Sequence, residues 1–139
     1  IKEVMSIMPI VWNDSLSTGI ITIDNQHKEL FKRINELLDS SGKTKETINE
    51  VARFLQSYII NHFATEENYM NRTKYPDYPA HKSAHDRYRE EFNQLKEKIE
   101  KEGVGLSVSV QMNHLLIDWW LNHINKVDKK MADFIKDKI

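Results

Sequence analysis

The sequence predicts an all-α fold, an antiparallel up-down-up-down four-helix bundle with an extended N-terminal arm. Three observations carry this expectation. Four segments place apolar residues at spacings of three and four, the period of a helix with one buried face. Helix breakers are scarce, with four Gly and three Pro in 139 residues, so the segments are long. The stretches between them are short, which makes consecutive helices antiparallel neighbours.

Residues 1–22 read as the arm: they hold no sustained helical period and contain Pro9, Gly19 and the turn-like Trp12-Asn13-Asp14-Ser15. Residues 23–139 read as one four-helix domain. The first helix is expected over 24–39, with Asp24 as its N-cap, since a carboxylate there can accept an unpaired first-turn N–H. Ile23, His27, Leu30, Phe31, Ile34 and Leu38 trace its inner face. After the loop Ser40–Lys43, the second helix is expected over 44–71. Its stripe is Ile48, Val51, Ala52, Leu55, Ile59, His62, Glu66, Tyr69 and Met70. A loop over 72–78 follows, and Pro79 fits the first turn of the third helix, where a missing N–H costs nothing. That helix carries His81, Ala84, His85, Tyr88, Phe92, Leu95 and Ile99 inward and stops at Gly103 and Gly105. The fourth is expected over 107–138, with Met112, Leu116, Trp119, Trp120, Val127, Met131 and Phe134 on its apolar side.

Composition removes several classes of function. Cysteine is absent, which excludes disulfides, thiolate catalysis and cysteine-based metal sites. Lys and Arg total 20 against 21 Asp and Glu, a formal net charge of −1. That balance argues against a nucleic-acid or polybasic membrane binder. No apolar run approaches the ~20 residues that span a bilayer. The apolar stretch Met5–Trp12 is short and lacks a small-residue cleavage site, so no secretory leader and a cytoplasmic location are expected.

Seven polar residues stand where a plain core would be apolar. His62 and Glu66 lie four apart inside the second stripe, and His81 and His85 do the same in the third. Such pairs project from one face on successive turns and reach a common point. His27 lies in the first stripe, and His123 and Asp128 lie on the inward half of the fourth helix. Five imidazoles and two carboxylates from all four helices thus converge on one interior. Burying them unpaired would cost several kcal/mol. A cation turns the nitrogens and oxygens into ligands and balances the negative charge. The set is complete for a dinuclear metal site. His114 is an internal control: nine residues before His123, it points about 180° away from the ligand face.

Mixed imidazole and carboxylate ligation suits iron, manganese or zinc. The His-Glu-x-x-His zinc signature is missing, because Lys82 follows His81. The ferritin-like plan needs Glu-x-x-His on two helices, and no histidine here has Glu three residues before it.

The motifs Ile23-Asp24-x-Gln26-His27, His62-Phe63-x-x-Glu66-Glu67-x-x-Met70, Tyr75-Pro76 leading into His81-x3-His85, and His123-Ile124-x3-Asp128-Lys129-Lys130 together resemble the hemerythrin family, specifically its single-domain bacterial members. The resemblance runs from about Val11 to Ile135. It implies two iron ions in an oxo- or hydroxo-bridged, non-haem di-iron centre. By motif position, His81, His85 and His123 would hold one iron and His27 and His62 the other, with Glu66 and Asp128 bridging. One coordination position would stay open, on the iron with two histidines. The family's activity is reversible O2 binding for storage, delivery or sensing rather than catalysis, with azide or NO as other exogenous ligands. Two further readings stay open: a di-iron sensor module of a signalling protein, and an NO- or peroxide-consuming di-iron enzyme. A metal-free interaction bundle is the plain alternative, and no protein partner is indicated. One departure stands out. The family commonly has Trp-Leu four and three residues before the last histidine, and this chain has Trp119-Trp120. Trp120 and Ile124 are the expected walls of the ligand pocket.

Overall fold

The computed structural model describes residues 8–40 and 42–139; residues 1–7 of the expected arm and Ser41 of the first interhelical loop lie outside them. After a 3₁₀ turn at Asp14–Leu16, the chain forms α1 (Ile21–Leu38), α2 (Lys45–Thr73), α3 (Tyr78–Glu102) and α4 (residues 106–135). They form the four-helix bundle that the periodicity predicts. No helix is long and apolar enough to cross a membrane among the described residues.

Local chemistry sets most boundaries. The Thr44 hydroxyl accepts the Thr47 backbone N–H at 3.1 Å and caps α2. Lys74, at φ 57°, ends that helix in the left-handed region, a common helix stop. Pro79 sits in the first turn of α3, and Gly103 terminates that helix at φ 73°.

The start of α1 differs from expectation. It begins at Ile21 rather than Asp24, and its N-cap is Ile20, which offers no capping side chain. Gly19, at φ 82°, reverses the chain just before. Asp24 lies in the first turn and reaches back instead of capping forward. Its carboxylate accepts the Thr18 N–H and hydroxyl, both at 2.8 Å, and the Ser17 hydroxyl at 2.7 Å. The Thr18 hydroxyl oxygen in turn accepts the Ile20 N–H at 3.2 Å. The arm is thereby tied to α1 by reciprocal bonds of the kind a capping box makes. Farther out, the Ile10 N–H and carbonyl bond the Asn35 side chain at 2.9 and 3.0 Å.

Helix α4 also departs from the expected regular helix. Two stretches, His114–Asp118 and His123–Asp128, are π-helical.

The apolar side chains form two clusters. The larger unites Leu30, Leu55, Phe63, Tyr88, Phe92, Trp120 and Ile124 with their neighbours. The smaller contains Ile20, Ile23, Met70, Tyr75, Met131, Ala132 and Ile135. On three helices a polar residue falls between them: His27 lies between Ile23 and Leu30, Glu66 between Phe63 and Met70, Asp128 between Ile124 and Met131, whereas His62 and His123 are flanked by members of the larger cluster. The fold therefore holds one polar layer between two hydrophobic ones.

Candidate metal centre

His27, His62, Glu66, His81, His85, His123 and Asp128 all occupy that layer, and none is more than 5% exposed. They divide into two groups that share both carboxylates. His27, His62, Glu66 and Asp128 form one, and Glu66, His81, His85, His123 and Asp128 the other. Within each group, one ligand atom per residue lies within 4.8 Å of all the rest.

Each carboxylate splits its oxygens between the groups. Glu66 Oε2 lies 3.1 Å from His62 Nε2 and 3.7 Å from His27 Nε2. Its Oε1 lies 3.3 Å from His81 Nε2 and 3.2 Å from His85 Nε2. Asp128 Oδ2 lies 3.1 Å from His27 Nε2, whereas Oδ1 is 3.2 Å from both His81 Nε2 and His123 Nε2. Despite these distances, the five Nε2 atoms and the four carboxylate oxygens make no hydrogen bonds. Their lone pairs converge on shared points rather than on one another. Orphaned buried polar atoms are rare and costly, and metal coordination would satisfy these nine. The donor set of imidazole and carboxylate fits iron.

The electrostatics describe a cluster competing for positive charge. Burial opposes protonation of His27, yet Asp128 and Glu66 beside it raise it to about 9. The same balance raises His81 to about 9. Burial prevails at His62 and lowers it. Burial would raise Glu66, but the neighbouring His62, His27 and His81 hold it well below the usual carboxylate range. Asp128 is likewise held low, because His123 and His27 outweigh burial and Glu66.

The π turn at His123–Asp128 explains how α4 brings two candidate ligands five residues apart onto the centre. In an α-helix, five steps of about 100° leave the second side chain about 140° from the first. The wider π turn brings them onto one face, and such bulges recur at functional sites. Sequence periodicity placed both residues on the inward half of α4 but did not show this turn.

Three more residues act on the ligands from behind. The Gln26 Oε1 accepts the His62 Nδ1 proton at 2.7 Å, and Gln26 Nε2 donates to the Thr65 hydroxyl at 3.2 Å. Glu67 Oε2 accepts from His85 Nδ1 and from Arg89 Nη2, each at 2.9 Å. Both bonds fix the tautomer that leaves Nε2 free to face the centre. Burial would raise the Glu67 carboxyl, but His85 and Arg89 hold it below its ordinary value. The sequence signal for these residues is adjacency: Gln26 precedes His27, Glu67 follows Glu66, and Arg89 is one turn beyond His85.

Aromatic rings wall the layer. Phe63 stacks on His85 at 3.8 Å and 8°, and Trp119 on His123 at 4.3 Å and 12°. Trp120 is fully buried, with its ring 6.0 Å from His62, 6.3 Å from His123 and 6.5 Å from His27. Its indole N–H donates to the Tyr88 hydroxyl at 2.8 Å, which donates to the Leu115 carbonyl at 3.0 Å. Ile124 is also fully buried in the larger apolar cluster. His114 is exposed and lines a surface groove between α3 and α4 with Glu91, Leu95 and Lys98, away from the centre.

Similarities to known proteins point to one family. The family profile described as the hemerythrin HHE cation binding domain matches residues 18–135. A bacteriohemerythrin of Pseudomonas aeruginosa (strain LESB58) is 35% identical over 138 residues, covering 93% of this chain and 88% of that protein. The bacteriohemerythrin of Methylococcus capsulatus is 32% identical over 81% of this chain and 85% of its own length. Myohemerythrin of Sipunculus nudus is 27% identical over 88% of this chain and 90% of that protein. Among solved structures, a wild-type hemerythrin superposes with a TM-score of 0.78 at 28% identity, covering 91% of this chain and 97% of that one. The chain belongs to the hemerythrin family.

Proposed function

We propose that the chain binds O2 reversibly at a non-haem di-iron centre. His81, His85 and His123 would hold one iron and His27 and His62 the other, with Glu66 and Asp128 shared between them. The observation that carries this reading is the division of both carboxylates. Each turns one oxygen to the three-histidine group and the other to the two-histidine group. A mononuclear site has no use for that arrangement. When bound, such an iron pair supplies an open coordination position and electrons for a diatomic ligand.

The protein's own residues account for the rest. Gln26 and Glu67 orient His62 and His85. The two-histidine side is the less crowded with ligands, and Trp120 borders both sides, with its ring nearest His62. Trp120 and Ile124 wall the pocket there and exclude water. The surroundings favour binding over turnover, since the Tyr88 hydroxyl is engaged by Trp120 and Leu115 rather than aimed at the centre.

The test is iron analysis combined with visible spectra of reduced protein before air, after air and after removal of O2. Two irons per chain and a spectrum that returns on deoxygenation are expected. One iron, none, or an irreversible spectrum would overturn the proposal. His85→Ala should lose iron, whereas His114→Ala should keep both irons and the spectrum.

A further inference from the structure

The five imidazoles at the centre differ in what holds their outer nitrogen. His62 Nδ1 faces a neutral amide, Gln26. His85 Nδ1 faces a carboxylate, Glu67. Nδ1 of His27 and of His81 makes no hydrogen bond. A carboxylate that accepts an imidazole N–H draws the proton toward itself. The ring gains anionic character and becomes a stronger donor through its other nitrogen. An amide does this far less. Through His85, the three-histidine position is therefore supplied with more negative charge than His62 brings to the two-histidine position.

A second group opposes Glu67. Arg89 Nη2 bonds the same oxygen that receives the His85 proton. The guanidinium carbon lies 5.2 Å from the centre of the Phe63 ring, and Phe63 itself stacks on His85. Arg89 Nη1 is anchored to Asp86 at 2.7 Å. The Glu67 side chain is 15% exposed, so water screens its charge only weakly. The positive Arg89 thus reduces how much negative charge Glu67 passes to His85.

We infer that Glu67 and Arg89 form an opposed pair that sets the reduction potential of the iron at the three-histidine position. Glu67 favours the ferric state there, and Arg89 limits that preference. Both are positioning residues, since they act through His85 and touch no iron. The inference rests on the di-iron reading. In a half-oxidised protein, produced when ferricyanide takes one electron from the reduced pair and becomes ferrocyanide, the ferric charge settles at this position.

The test uses iron-loaded Glu67→Gln, Arg89→Gln and Gln26→Glu, with iron content, midpoint potential and Mössbauer spectra of the half-oxidised state. Glu67→Gln should raise the potential and Arg89→Gln should lower it. Each shift should be about tenfold in the oxidation equilibrium, or about 59 mV for one electron. Gln26→Glu should lower the potential of the other iron and spread the ferric charge toward the two-histidine position. Loosened packing would move Glu67→Gln and Arg89→Gln in the same direction, so opposite signs are the signature. Shifts of one sign, or none, in proteins with full iron overturn the inference alone. If Glu67→Gln loses iron, Arg89→Gln decides by itself, and an unshifted potential there overturns the inference. A wild-type protein without iron overturns the di-iron reading and this inference together.

Discussion

Trp120 stands where the resemblance to the family leads one to expect leucine, and two opposed effects are expected of it. The indole fills space beside His62, His123 and His27, at the proposed ligand pocket. Its N–H is fixed by Tyr88, so the ring cannot easily swing aside. Crowding slows entry, most of all for bulky anions. The same ring keeps water from the centre, and dryness slows protonation and loss of bound O2. Trp120→Leu is expected to bind azide faster and autoxidise faster, with iron content unchanged. Stopped-flow azide binding and decay of the oxygenated spectrum measure the two rates. Equal rates in both proteins would reduce Trp120 to packed core. The substitution also opens a cavity and strips the Tyr88 hydroxyl of one partner. A stability loss of roughly 2–3 kcal/mol is expected by comparison with other large-to-small core changes.

At the scale of elements, α4 solves a spacing problem that α2 and α3 do not have. His62 and Glu66, like His81 and His85, are four apart and share a face in an ordinary helix. His123 and Asp128 need the π turn between them. Removing one residue from a π turn restores α-helical geometry, and it leaves these two ligands four apart on the same face. Deleting the exposed Asn125 should therefore preserve the bundle and most of its iron. Deleting the exposed Ala64 from the regular part of α2 should abolish iron binding, because it rotates Glu66 and Met70 by about 100° relative to Ile59 and His62. Circular dichroism and iron content compare the two, and equal iron loss would refute the argument. The same contrast shows what can be read from the chain. Apolar spacing revealed four helices and their inward faces, and polar intrusions such as His62 and Glu66 revealed the centre. Periodicity assumes a constant turn, so it was blind to both π segments. It also misjudged Asp24, a capping type of residue one turn too late, whose partners Ser17 and Thr18 lie outside the helix. Arg89 lies one turn beyond His85, but spacing does not show which acid it pairs with; only the fold brings it to the oxygen of Glu67 that His85 uses.

For the whole molecule, the polar layer ties folding to metal and to pH. His27 and His81 are raised to about 9 in the metal-free fold, above the ordinary histidine value of about 6.5. The folded state then binds protons that the unfolded chain has released. Their contribution is fully present below about pH 6.5 and fades as pH rises through about 9. His62, which burial lowers, acts with the opposite sign and only below that window. Iron competes with protons for the same Nε2 lone pairs, so raising pH strengthens binding instead. Metal-free protein should melt at falling temperatures between pH 6.5 and 9, while iron-loaded protein melts higher throughout and does not follow that decline. Thermal melts of both forms across this range test the claim, and parallel curves would contradict it. The two apolar clusters that enclose the layer are unequal, and that inequality bears on kinetics. Only the small cluster around Ile23, Met70, Met131 and Ile135 stoppers one end of the centre. Lys130 pairs with Asp77 near that end, and Lys129 bonds the Ser15 carbonyl. Local opening of that end asks far less of the molecule than global unfolding. If metal leaves by that opening, the chain sets the rate of its loss, and an excess of chelator should leave that rate unchanged.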